Sequence, residues 1–192
     1  TAPFKTIPIA IAAAENAGTG YYDIIVGAGT YTDRLVQAIT NVYICLKADG
    51  EVIFDASNTG DSAFRNGYFW RVEGFKIVDV EQALQQSSND AYRVNFHKCY
   101  IKNCPDWYVD LIFREQNRYH DTNCIFENVR STSAGTSYAR NFMFTNCFFI
   151  DSTMPGFSIP GNVIASNTRP PIVNSCLFHN NQPASTTNYY LY

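Results

Sequence analysis

Apolar and polar residues alternate along this chain in short bursts, and one burst recurs. Gly74-Phe75-Lys76-Ile77-Val78-Asp79 matches Lys98-Cys99-Tyr100-Ile101-Lys102-Asn103. Asn123-Cys124-Ile125-Phe126-Glu127-Asn128, Asn146-Cys147-Phe148-Phe149-Ile150-Asp151 and Ser175-Cys176-Leu177-Phe178-His179-Asn180 follow. The shared pattern is Phe/Cys, any residue, Ile/Phe, any residue, Asn/Asp. Starts at 75, 99, 124, 147 and 176 are separated by 24, 25, 23 and 29 residues. Period-two alternation makes each copy a strand with two side chains on one face. A repeat of this length suits a coil whose circuit holds about three short strands and three turns, stacked at about 4.8 Å.

Stacking places equivalent residues in columns. Phe75, Cys99, Cys124, Cys147 and Cys176 form one inward column. Ile77, Ile101, Phe126, Phe149 and Phe178 form the next. Buried cysteine acts as a small hydrophobe, so reduced structural thiols are expected, with disulfides between adjacent rungs as the alternative. Asp79, Asn103, Asn128, Asp151 and Asn180 fall at a bend, where Asn and Asp tolerate left-handed backbone. Counting back three from each start gives a further inward column: Val72, Phe96, Asp121, Phe144 and Val173. Asp121 breaks its apolar pattern and is either exposed by a register shift or buried for a reason.

Upstream, Thr6 to Ala17 reads as a short apolar helix that caps the open end of the coil. Asp23 to Tyr31, Val42 to Leu46 and Val52 to Asp55 read as strands. The expected architecture is one all-β domain, a right-handed parallel β-helix with a short N-terminal capping helix. The helix spans about 5–17, the rungs about 22–181 and a tail 182–192. The stacked Asn bend, the aromatic and aliphatic stacks and the helix–strand–Gly-Thr-Tyr opening resemble the pectin lyase-like superfamily, over roughly residues 5–181. That superfamily includes polysaccharide lyases and phage tailspikes, so the resemblance speaks to fold more than to activity.

Counting back two, four and six gives the outward residues of the strand before each repeat. Arg71, Arg93 and Arg118 gather there with Glu73, His97 and His120. In the resembling lyases this face carries the substrate cleft, an arginine takes a proton from the sugar, and acidic residues hold calcium. The resemblance would give Arg93 or Arg118 the first role and His120 that of general acid. Under that reading alone calcium is implied; otherwise no metal or cofactor is expected. Arg71, Glu73 and His97 are candidate ligand contacts. So are Asp106, Trp107 and Tyr108, an acid beside two aromatics. The plain alternative is a solvated polar face that pairs Glu73 with Arg71 or Arg93.

The other outward column runs through Lys76, Tyr100, Ile125, Phe148 and Leu177, joined by Val78 and Ile150. A stripe this apolar needs a cover. Either a second subunit packs on Tyr100, Ile125, Phe148, Ile150 and Leu177, as in a homotrimer or larger assembly, or the insertion from Cys104 to Gln116 folds over it.

Composition narrows the picture. Aromatic residues make up 15% and charged residues only 16%, which suits strands and turns more than helices. A net charge of −3 offers no basic field for nucleic acid. No apolar run reaches the roughly 20 residues of a membrane span. The chain starts at Thr1 and is expected to be processed or partial. The six cysteines lack CxxC or zinc-finger spacing. Val109-Asp110-Leu111-Ile112-Phe113 resembles a pectinesterase motif but is incomplete, with Arg114 at the glycine. The reading favoured is a non-catalytic module for assembly or adhesion. A bacteriophage virion or tail component that meets surface polysaccharide, extracellular or on the virion, fits it. The alternative is a small polysaccharide-degrading enzyme using the Arg/His face.

Overall fold

The computed structural model describes residues 3–36, 42–55, 57, 62–65, 69–80, 82–85, 93–104, 119–129, 142–152 and 172–180. It opens with helix α1 (Ile7–Asn16), followed by β1 (Gly20–Tyr31), β2 (Leu35–Val36), β3 (Val42–Asp55), β4 (Ser62–Arg65) and β5 (Phe69–Val78). Then come β6 (Gln82–Gln85), β7 (Arg93–His97), β8 (Tyr100–Lys102), β9 (Tyr119–Thr122) and β10 (Ile125–Glu127). β11 (Phe142–Thr145), β12 (Phe148–Ile150), β13 (Ile172–Asn174) and β14 (Leu177–His179) complete the set.

Every pairing is parallel and links each circuit to the next. β1, β3 and β5 run through the first corner as continuous strands, and at higher levels the same path divides into β7/β8, β9/β10, β11/β12 and β13/β14. The third side of the coil is the small sheet β2-β4-β6. The fold is therefore an all-β parallel β-helix. Crossovers between parallel strands are right-handed with few exceptions, which is the hand expected from the sequence.

The repeat is in register as its spacing requires: Lys76, Tyr100, Ile125, Phe148 and Leu177 pair level by level. Phe75, Cys99, Cys124 and Cys147 are buried, as are Ile77, Ile101, Phe126 and Phe149. Stacked Phe126 and Phe149 lie 4.8 Å apart and Phe149 and Phe178 5.1 Å, close to the strand spacing itself. Phe144 meets Phe126 and Phe149 edge-on, at 5.9 and 5.4 Å, joining the first and second sides of the core.

Two left-handed corners bracket each second-side strand. The expected one holds Asp79, Asn103, Asn128, Asp151 and Asn180, with φ between 47° and 55°. Its amides form a ladder: Asn103 donates to Asp79 at 2.9 Å, Asn128 to Asn103 at 2.9 Å and Asn180 to Asp151 at 2.6 Å. The ladder breaks between Asn128 and Asp151 because a carboxylate has no proton to donate. The other, which is the first corner along the path, was not foreseen. It precedes the Phe/Cys position and holds Gly74, Lys98, Asn123, Asn146 and Ser175, all at positive φ. Gly74, at φ 78°, also faces the Ala48 methyl, which would lie 3.3 Å from an added Cβ.

This geometry corrects the reading of Cys104. The corner at Asn103 turns the chain so that the next side chain points inward again, and Cys104 is fully buried beside Val80 and Val129. It is a core residue rather than the start of a covering insertion. Ser152 takes the same column and is satisfied there. Its hydroxyl donates to the Ile150 carbonyl at 2.8 Å and accepts from the Val129 N–H at 3.1 Å.

The helix closes the N-terminal end. Ile7, Ala10, Ile11 and Ala14 form one buried stripe, and α1 packs on β1, β2 and β3. The Thr6 hydroxyl caps its first turn by accepting from Ile9 N–H at 3.4 Å, and Gly18 follows its end at φ 92°.

Candidate functional site

Beside the column that runs from Tyr21 and Tyr43 to Phe69 and Arg93, the first side of the coil presents two longer outward columns. One contains Asp23, Cys45, Arg71, Asn95, His120, Met143 and Ile172. The other contains Ile25, Lys47, Glu73, His97, Thr122, Thr145 and Asn174. Arg71, Glu73, His97 and His120 thus share the face on which the sequence placed them. Arg93 opens β7 in register with Phe69. Arg118, Asp106, Trp107 and Tyr108 lie outside the described residues, as do Asp110, Arg114, the rest of the insertion to Gln116 and the tail 182–192.

The ionisable groups that are described pair with one another. Arg71 faces Glu73 at 3.5 Å, the plainer of the pairings expected from sequence. Lys47 binds Asp23 at 2.7 Å. His97 Nδ1 lies 2.6 Å from the Thr122 hydroxyl, and His120 Nε2 lies 3.2 Å from that of Thr145. Partial burial holds the His97 pKa below its ordinary 6.5, against the opposing pull of the Glu73 carboxylate. Its imidazole is therefore neutral at pH 7. His120 is exposed. The threonine partners were legible in principle, because Thr122 and Thr145 occupy the repeat position that Glu73 and His97 occupy at other levels.

Beneath this face the ladder between β7 and β9 is irregular, and side chains replace part of it. His97 pairs with Thr122 in ordinary register. Next to it, the buried Asp121 carboxylate accepts from Phe96 N–H at 3.0 Å. On the outer side, Asn95 Oδ1 accepts from His120 N–H at 3.0 Å. Asp121 is thus buried for a reason: it satisfies a main-chain donor that would otherwise sit in the core.

The second side presents a different surface. Its lower levels are charged. Lys76 pairs with Glu51, Lys102 with Glu127 at 2.7 Å, and the Tyr100 hydroxyl donates to Glu127. Lys102 and Tyr100 together hold the Glu127 pKa down, and that carboxylate raises the pKa of Tyr100. Its upper levels are apolar. Ile125 is 39% exposed, Leu177 66% and Phe178, at the last described level, 38%. Tyr100, Phe148 and Ile150 are half-buried between their neighbours. The stripe is therefore shorter than the sequence implied, because Lys76, Lys102 and Glu127 make its lower part ionic.

All six cysteines are free. Burial pushes the Cys104 thiol up to about 12. Cys124 is raised by its contacts with the Cys147 and Cys99 thiols and by burial. The Cys104 and Cys124 thiols fill the core and are poor nucleophiles. Among the described residues, no group of three or more His, Cys, Asp or Glu side chains is placed to hold a metal ion. Comparison with family models, with curated proteins and with solved structures found no match.

Proposed function

We propose that this chain is a non-catalytic parallel β-helix module for assembly or adhesion, of the kind carried on a bacteriophage virion or tail. It meets surface polysaccharide through its first face and acts outside the cell. One observation carries the reading: the described charged side chains of that face are paired, Arg71 with Glu73 and Lys47 with Asp23, and both histidines are bonded to threonines. A general base or nucleophile needs a free pair of electrons aimed at the substrate. A ladder of paired Arg, Glu, Lys, Asp, His and Thr instead offers fixed donors and acceptors to a hydroxyl-rich polymer. The stacked Asn corner and aromatic core are consistent with the pectin lyase-like resemblance. The apolar upper half of the second face supports a homo-oligomer such as a trimer.

A second reading rests on the exposed His120. In it the chain is a small polysaccharide-degrading enzyme that uses Arg93, Arg118 and His120, with calcium as in the resembling lyases. The two readings separate on a panel of bacterial surface polysaccharides incubated with the intact chain, with and without calcium. The module retains polymer and leaves it intact. Unsaturated or reducing-end products that disappear in Arg118→Ala would overturn the module reading in favour of the enzyme.

A further inference from the structure

We propose that the N-terminal levels of the first face form a stacking site for an uncharged pyranose ring, with Tyr21 and Tyr43 as its platform. The inference rests on the polysaccharide-contact reading above and assigns it a place and a sugar class. Tyr21 and Tyr43 pair directly across β1 and β3. Their rings stack at 4.3 Å with planes 13° apart, and Tyr21 is 84% exposed. The neighbouring tyrosines are used differently: Tyr22 donates to the Gly18 carbonyl at 2.9 Å and Tyr31 to that of Gly27 at 2.8 Å. Those two phenols secure backbone. Tyr43 backs one face of Tyr21 through that stack and leaves the outer face of the exposed Tyr21 ring to solvent, which suits an amphipathic ring with one apolar face.

The surroundings select the ligand. Asp23 lies two residues along β1 from Tyr21, hence roughly 7 Å away on the same face. Its ion pair with Lys47 is exposed on both sides, at 57% and 37% of the side chain. The Arg71–Glu73 pair lies one level further up. A sugar ring stacked on the platform therefore has charged donors and acceptors within reach of its hydroxyls. The described cations at these levels, Lys47 and Arg71, already face carboxylates, so an anionic sugar would have to break an existing pair, whereas neutral hydroxyls bridge one. This balance favours an uncharged ring over an acidic polymer.

The test is calorimetric titration of the intact chain with neutral and acidic surface polysaccharides. The variants are Tyr21→Ala, Tyr43→Ala, Tyr21→Phe and, on the opposite face, Lys76→Ala. Because Tyr21 is exposed, its variants should fold, and circular dichroism checks this. Neutral polymer should bind the wild type, Tyr21→Phe and Lys76→Ala alike, and each alanine variant at the platform about tenfold more weakly. Wild-type binding that survives both alanine changes would place the contact elsewhere and overturn the inference while leaving the function. Binding of acidic polymers alone would overturn the sugar class. Binding of no polysaccharide would remove the function and the inference together.

Discussion

At Asp121 an apolar column receives a carboxylate, and the core tolerates it because a main-chain N–H needs it. Phe96 N–H lies in a stretch where β7 and β9 do not form an ordinary ladder, and Asp121 Oδ1 supplies the missing acceptor at 3.0 Å. Asp121→Ala leaves that donor buried and unpaired and should lower unfolding free energy by about 1–3 kcal/mol in urea titration. Asp121→Asn keeps an acceptor oxygen of the same reach and should cost less. Equal losses in the two variants would mean that the Phe96 bond is not what holds Asp121 in the core. The corner residues follow a comparable local logic. Left-handed backbone is costly for most side chains, and Asn and Asp reduce that cost by bonding locally. Lys98 bears it at the other corner without that help, held by the stacked strand above it through its N–H bond to the Thr122 carbonyl.

At the scale of the element, each second-side strand is a four-residue segment between two left-handed corners, and Cys99, Cys124, Cys147 and Cys176 are its inward markers. Cys99, Cys104, Cys124 and Cys147 are buried, whereas Cys45 and Cys176 are half-buried. Brief alkylation of the native chain should therefore modify Cys45 and Cys176 ahead of the other four, and unfolding should expose all six. Mass-spectrometric mapping reads this directly, and rapid native labelling of Cys124 would contradict the stack. Much of this element was legible in the sequence. The spacing of Cys99, Cys124, Cys147 and Cys176 gave the level, and Asn103 and Asn128 gave one corner. α1 was legible too, because Thr6, Pro8 and an i, i+3, i+4, i+7 apolar stripe mark its start and buried face. The first corner was hidden because Gly, Lys, Asn and Ser share no chemistry there. Gly74, Asn123 and Asn146 favour its conformation locally, whereas at Lys98 and Ser175 the stack imposes it. Cys104 was misplaced for the same reason: without the turn at Asn103, its side chain has no assigned direction. The polar site was half legible. Arg71, Glu73, His97 and His120 follow from alternation, but their partners depend on register across levels, which only the three-dimensional pairing supplies.

Across the whole molecule, the two outward faces divide the work. The first is polar and internally paired. The second passes from ion pairs at Lys76 and Lys102 to an apolar end at Ile125, Phe148 and Leu177. Exposed apolar surface of this kind favours a partner, and the proposed assembly would cover it with another copy. Phe148 and Ile150 are half-buried by their own neighbours, whereas Leu177 and Ile125 are exposed. The most direct measurement is native mass by multi-angle light scattering on the wild type and on Phe148→Glu, with circular dichroism to confirm that both are folded. The account predicts a wild-type particle that is a small multiple of the chain mass and a folded Phe148→Glu variant of lower mass. A wild type that stays monomeric at high concentration would contradict it.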